Sequence, residues 1–110
     1  MVLRNTFIIS CCAVLWVACG SSSGDKASAT DPITPEQAKT LFIRKCATCH
    51  GTEGNMEIGG AKNLTLSSLS KEEVLDQIRN GKGNMPPFGE VLTTKEIEAI
   101  TQHTLSIRTK

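Results

Sequence analysis

Cys46, Cys49 and His50 stand together in the stretch RKCATCHGTEG, two thiols three residues apart with an imidazole directly behind the second. On one helical turn, positions i and i+3 lie about 5–6 Å apart on the same face, and His50, four residues beyond Cys46, projects from that side too. Three chemistries use some or all of this set. A porphyrin with two vinyl groups can be fixed by thioethers to both cysteines while the imidazole reaches its iron, which employs all three residues. A thiol redox pair of the thioredoxin kind uses only the cysteines; it follows a strand and opens a helix, whose dipole lowers the pKa of the first thiol. Here the pair closes a helical pattern instead. A zinc site would recruit His103 as a fourth ligand, but adjacent Cys and His ligands strain tetrahedral closure, and the paired spacing of zinc motifs is missing. Covalently bound haem is the reading the spacing favours, with zinc and thiol redox as the alternatives.

Iron held by one histidine has a further position to fill. Once an N-terminal leader is cleaved, only Met56 and Met85 offer a thioether. Met56 follows His50 by six residues, too few to pass around a porphyrin edge. Met85 is thirty-five residues on, within GNMPPFG, where Pro86 holds it extended and Pro87 stiffens the next step. Met85 is therefore the expected second axial ligand, opposite His50. With both positions filled, oxygen or peroxide chemistry is disfavoured and Fe(III)/Fe(II) exchange remains, so the expected protein is an electron carrier and not an enzyme. The alternatives are a haem-bearing subunit of a larger oxidoreductase, and a haem enzyme or sensor whose Met85 dissociates.

The elements that must position these residues begin after a leader. Residues 1–6 carry one positive charge, at Arg4, and FIISCCAVLWVA follows, an apolar run too short to span a bilayer and of the length of a signal-peptide core. Cys11 and Cys12 lie inside it and have no mature role. The run ends at Ala18-Cys19, and the next residues are polar and rich in glycine and serine. This junction resembles a bacterial lipoprotein signal, in which a small residue precedes the lipidated cysteine, although Trp16 takes a place usually held by an aliphatic residue. Ordinary cleavage, leaving Cys19 a spare thiol, is the alternative. The expected organisation is a signal over 1–18, a lipid-anchored linker over 19–33 and a haem domain over 34–110, on the periplasmic side of a bacterial membrane. Cleavage removes Arg4 alone of the charged side chains, leaving acidic and basic residues balanced, which speaks against nucleic acid as a partner.

Under eighty residues then remain to fold, with Phe42 and Phe88 their only aromatics. So small a domain seldom holds together on its own apolar side chains and needs a disulfide, a metal or a large cofactor to complete its core. Three helices share one start signal. Thr34 with Gln37, Ser70 with Glu73 and Thr93 with Glu96 each form a capping box; Pro35 suits a first helical position, and Leu69–Val74 and Leu92–Ile97 are staples. Ala38, Leu41, Phe42, Cys46 and Cys49 fall on one face of the first helix, and Ile97, Ile100, Thr104 and Ile107 on one face of the last. Gly51 and Gly81 are the expected stops of the first and second helices. No alternating apolar run suggests a strand, and the long segments between helices must wrap something.

LFIRKCATCHG, VLDQIRNGKGNMPPFG and LTTKEIEAITQHTLSI together resemble a small class I cytochrome c from about Thr34 to Ile107. The resemblance implies an all-α cytochrome c fold of about three main helices, with long loops around one covalent haem c. Cys46 and Cys49 would form its thioethers, and His50 and Met85 its axial pair. It also implies that Phe42 packs against Ile97 or Ile100 where the terminal helices cross. The partners it implies are redox proteins as donors and acceptors, with no small-molecule substrate; the lipoprotein-like junction adds a membrane through Cys19. Two departures from the family's pattern stand out. Lys62, in AKNL, replaces a proline whose carbonyl usually holds the proximal histidine, which leaves His50 to another carbonyl or a looser hold. His103 replaces an aromatic in the last helix and is expected to be a packed or surface imidazole. Charges expected near the haem edge are mixed, with Arg44, Lys45, Lys62, Arg79 and Lys82 against Glu53 and Glu57, compatible with a basic docking rim.

Overall fold

All three capping boxes form. The computed structural model describes residues 31–110, in which α1 spans Pro35–Lys45, α2 Ala47–His50, α3 Lys71–Asn80 and α4 Thr94–Ser106. The hydroxyls of Thr34, Ser70 and Thr93 accept the amide N–H of Gln37, Glu73 and Glu96, whose side chains accept the cap amides in return. Each box satisfies two amide donors that a helix start would otherwise leave unpaired. The hydrogen bonds to Ser70 hold the exposed Glu73 carboxyl below the usual glutamate range. Two 3-10 turns, Ile58–Gly60 and Leu64–Leu66, punctuate the segment between α2 and α3. The described residues form no strand, only an isolated bridge between Lys82 and Met85.

One expectation needs correction. The helix of the CxxCH stretch does not run through to His50: it breaks at Cys46 (φ −119°, ψ −30°), which ends α1 and begins the separate turn α2. Gly51 closes that turn and Gly81 closes α3, both with positive φ. The break rotates Cys49 out of the register it would have on a continuous helix. Cys49 is exposed, whereas Cys46 is partly buried against the core.

α4 packs on both α1 and α3, and the core lies between them. Phe42, Val74, Ile78, Leu92, Ile97 and Ile100 form one buried cluster, with Phe42, Ile97 and Ile100 at 1 % exposure, the expected meeting of the first and last helices. Burying each such side chain contributes about 1.5–3 kcal/mol. Two buried threonines share the inward face of α4. Thr101 Oγ1 donates to the Ile97 carbonyl (2.8 Å) and Thr104 Oγ1 to that of Ile100 (2.9 Å), so neither hydroxyl is left unpaired.

His103 is packed. Its ring lies against Phe42 with centroids 5.0 Å apart at 55°, and its Nε2 is shut off from water with no hydrogen-bond partner. Burial, seconded by Lys39 and opposed by Glu53, holds the imidazole below its ordinary pKa. The folded protein therefore binds this proton less readily than the unfolded chain, and stability is lost as pH falls below about 6.5, the ordinary histidine value. His103→Phe keeps the ring contact and removes the penalty. Thermal melts of the variant should gain on the wild type at pH 5 and match it more closely at pH 8.

Candidate functional site

The chemistry-bearing side chains converge from three segments. His50 arrives on α2 with its backbone held on both sides: its N–H donates to the Cys46 carbonyl (3.0 Å) and its own carbonyl accepts the Met56 amide (2.9 Å). The ring is buried, and Nδ1 lies 2.9 Å from the carbonyl oxygen of Lys62. A carbonyl can only accept, so Nδ1 carries the proton and Nε2 keeps its lone pair for a metal. Neither the other carbonyl nor the looser hold is what occurs: the carbonyl at position 62 orients the imidazole without a proline. The surrounding turns supply the rigidity. Ala61 N–H donates to Ile58, and the Asn63 carboxamide oxygen accepts both the amide (3.0 Å) and the hydroxyl (2.7 Å) of Thr65, so Lys62 is fixed between two closed turns.

Met85 is set by a second framework. Met85 and Lys82 exchange both backbone hydrogen bonds (3.1 Å each), and the amides of Phe88 and Gly89 donate to the Ile78 and Arg79 carbonyls (3.0 Å each). The loop is thereby stitched to the end of α3. Gly81 permits the close return: its φ is +72°, and a Cβ there would stand 2.5 Å from the Met85 carbonyl oxygen and 2.8 Å from Pro87 N. Gln77 Nε2 approaches the Met85 sulfur at 3.9 Å, a weak donor contact to the thioether. Sequence reasoning passed over Gln77; its signal was a polar residue on the inward face of α3 beside Val74 and Ile78.

Cys46, His50 and Met85 line one cleft whose walls are mostly apolar: Phe42, Leu64, Leu69, Val74, Ile78 and Ile100. Ser67, Gln77 and Thr104 are its remaining polar members. Cys49 does not line the cleft, nor does Met56, which is exposed and lies over Gly51. The seven charged residues expected at the rim are all exposed. Among the described residues, no three His, Cys, Asp or Glu side chains gather as a metal site, so the four zinc candidates are not brought together. Burial, with the Cys49 thiol adding to it, pushes the Cys46 thiol up to about 11. A redox CxxC needs the opposite shift.

A family model described as cytochrome C oxidase, cbb3-type, subunit III matches residues 34–103. The chain belongs to this family of c-type cytochromes. Members of the cytochrome c family carry one covalently bound haem c, and Cys46, Cys49 and His50 of this cytochrome fit its CxxCH attachment motif. The residues suit that group: an apolar cleft for a flat macrocycle, an imidazole oriented through its Nδ1, a thioether sulfur and a partly buried thiol. Cytochrome c6 of Rippkaea orientalis is 36% identical over 74 residues, covering 62% of this chain and 66% of the relative. The cbb3-type cytochrome c oxidase subunit FixP of Azorhizobium caulinodans is 37% identical over 95 residues, 78% of this chain but 30% of that protein. The cytochrome thus spans about two thirds of the first relative and under a third of the second. Among solved structures, the KustC0563 c-type cytochrome superposes with a TM-score of 0.60 at 28% identity, covering 66% of this chain and 98% of that one. Cytochrome c6 of the diatom Phaeodactylum tricornutum gives 0.57 at 26%, covering 66% and 91%. The all-α cytochrome c fold is thereby established, with one short helix more than the three expected.

Proposed function

We propose that this chain carries single electrons between redox proteins on the periplasmic side of a bacterial membrane; Cys46 and Cys49 would hold haem c through thioethers, and His50 and Met85 would ligate its iron. The observation that carries the reading is that a carbonyl-oriented imidazole and a loop-held thioether line the same apolar cleft. The bound haem supplies a reversible Fe(III)/Fe(II) couple. The protein's part is to hold. The Lys62 carbonyl keeps the His50 tautomer and ring angle, the Lys82–Met85 bridge and Pro86-Pro87 keep the sulfur in place, and the apolar walls exclude water. A carrier gains from such stiffness, because every ligand that shifts adds reorganisation to the transfer. No small-molecule substrate enters this reading, and the chain is not an enzyme.

The predicted signal and Cys19 lie outside the described residues, and the tether is part of the proposal. The domain division at 18 and 33 is likewise part of it. No helix among the described residues is long and apolar enough to cross a membrane, and a lipid on Cys19 would anchor the domain through the linker; more than one acyl chain, at about 0.8 kcal/mol per buried methylene, makes such anchoring stable. Wild-type protein should fractionate with membranes and, once extracted, exchange electrons quickly with small redox mediators. Cys19→Ser should keep the same spectrum and exchange rate but appear in the soluble fraction. Wild type found wholly soluble would remove the anchor, and slow exchange would remove the carrier.

A second reading has its own support: the matching family model and FixP are both described as oxidase subunits. Docking in a larger oxidoreductase would show as co-elution with other chains after gentle detergent extraction, in place of a single small species.

A further inference from the structure

None of the side chains lining the cleft is a lysine or arginine. Haem c, however, brings two propionate carboxylates, and an anion entering an apolar cleft needs a donor or a cation close by. Arg108, two residues beyond the end of α4, is held close to that cleft. Thr109 pins the segment to the Leu64–Leu66 turn, donating to the Thr65 carbonyl through both its amide (3.0 Å) and its hydroxyl (3.1 Å). One terminal nitrogen of Arg108, Nη2, reaches Ser67 Oγ at 3.5 Å, the outer limit of a hydrogen bond, and Ser67 lines the cleft. Its Nε is shut off from water and has no partner. A buried guanidinium N–H left unpaired is costly, and native proteins rarely keep one without a reason.

We propose that Arg108 and Ser67 form the receptor for one haem propionate. The guanidinium presents Nε–H and an Nη–H in a fixed fork matched to a carboxylate, and the Ser67 hydroxyl, which accepts from Arg108, keeps its own proton free to donate. Arg108 is a positioning residue in this role. Its charge compensates the propionate and so disfavours the oxidised, more positive haem; the same contact ties the end of α4 to the cofactor. The assignment rests on the haem reading above.

The test uses the holoprotein, with Arg108→Gln, Arg108→Lys and Ser67→Ala measured for midpoint potential, and nitrogen-15 NMR of the reduced wild type to follow arginine side-chain exchange. Arg108→Gln should lower the potential more than Arg44→Gln does, Arg44 being an exposed guanidinium. Arg108→Lys should restore most of that shift, and Ser67→Ala should lower the potential less than Arg108→Gln. In the wild type one arginine Nε–H should exchange at least tenfold more slowly than the exposed ones, and Arg108→Lys should abolish that signal. Equal potentials for wild type and Arg108→Gln, or no protected arginine Nε–H in the wild type, would overturn the assignment; the second measurement stands even if Arg108→Gln fails to fold. A chain that carries no covalent pigment would overturn the haem reading itself, which is a separate result.

Discussion

Met85→Ala should open a closed site. The reduced variant is expected to bind carbon monoxide readily and to lose the charge-transfer band of methionine-ligated ferric haem. Its potential should fall, because a thioether favours ferrous iron and water or hydroxide in its place does not. The wild type should bind carbon monoxide poorly at neutral pH. The reason lies in how many constraints hold Met85: two backbone hydrogen bonds to Lys82, two prolines that cut the loop's freedom, and the Phe88 and Gly89 amides fastened to the last turn of α3. To release the sulfur the loop must give up several of these contacts together. Met56→Ala is the control, since Met56 is exposed and does not line the cleft, and it should change neither spectrum nor potential appreciably. Carbon monoxide binding by the wild type as ready as in Met85→Ala would mean an open coordination sphere, and a sensor or enzyme in place of a carrier.

Replacing Cys46 and Cys49 together by alanine should abolish covalent pigment and, with it, the stable fold. Denaturing gels stained for haem should show a coloured band for the wild type and none for the double variant, and the variant's helical circular dichroism should melt at or near room temperature. The second expectation follows from the core. Seven apolar side chains are buried among the described residues and only one of them, Phe42, is aromatic. So small a core offsets only part of the conformational entropy lost in ordering the chain. The cleft beside Phe42, Val74, Ile78 and Ile100 is where a bound macrocycle would supply the missing apolar contact. The single variants should differ. Cys46 lines the cleft and Cys49 does not, so Cys49→Ala should retain more pigment than Cys46→Ala. Extraction of all haem from the wild type by acid acetone would refute thioether attachment.

The sequence by itself determined what is decided within a few residues. A capping box is a contact between positions three apart, so Thr34, Ser70 and Thr93 announce their helices and the structure forms all three. The CxxCH spacing is equally local, and it names the cofactor class before any fold is known. The inward periodicity of α1 and α4 likewise points to Phe42, Ile97 and Ile100, because one face of an isolated helix already carries that pattern. Tertiary structure alone decided the rest. The break at Cys46, and with it the exposure of Cys49, has no signal in residues that would all continue a helix. That the backbone of Lys62 does what a proline's usually does depends on a carbonyl, a group common to every residue type, being aimed at His50 from twelve positions away. The Arg108–Ser67 contact was likewise invisible: its meaning comes from a neighbour that only the folded chain brings near, since Arg108 meets Ser67 across forty-one residues.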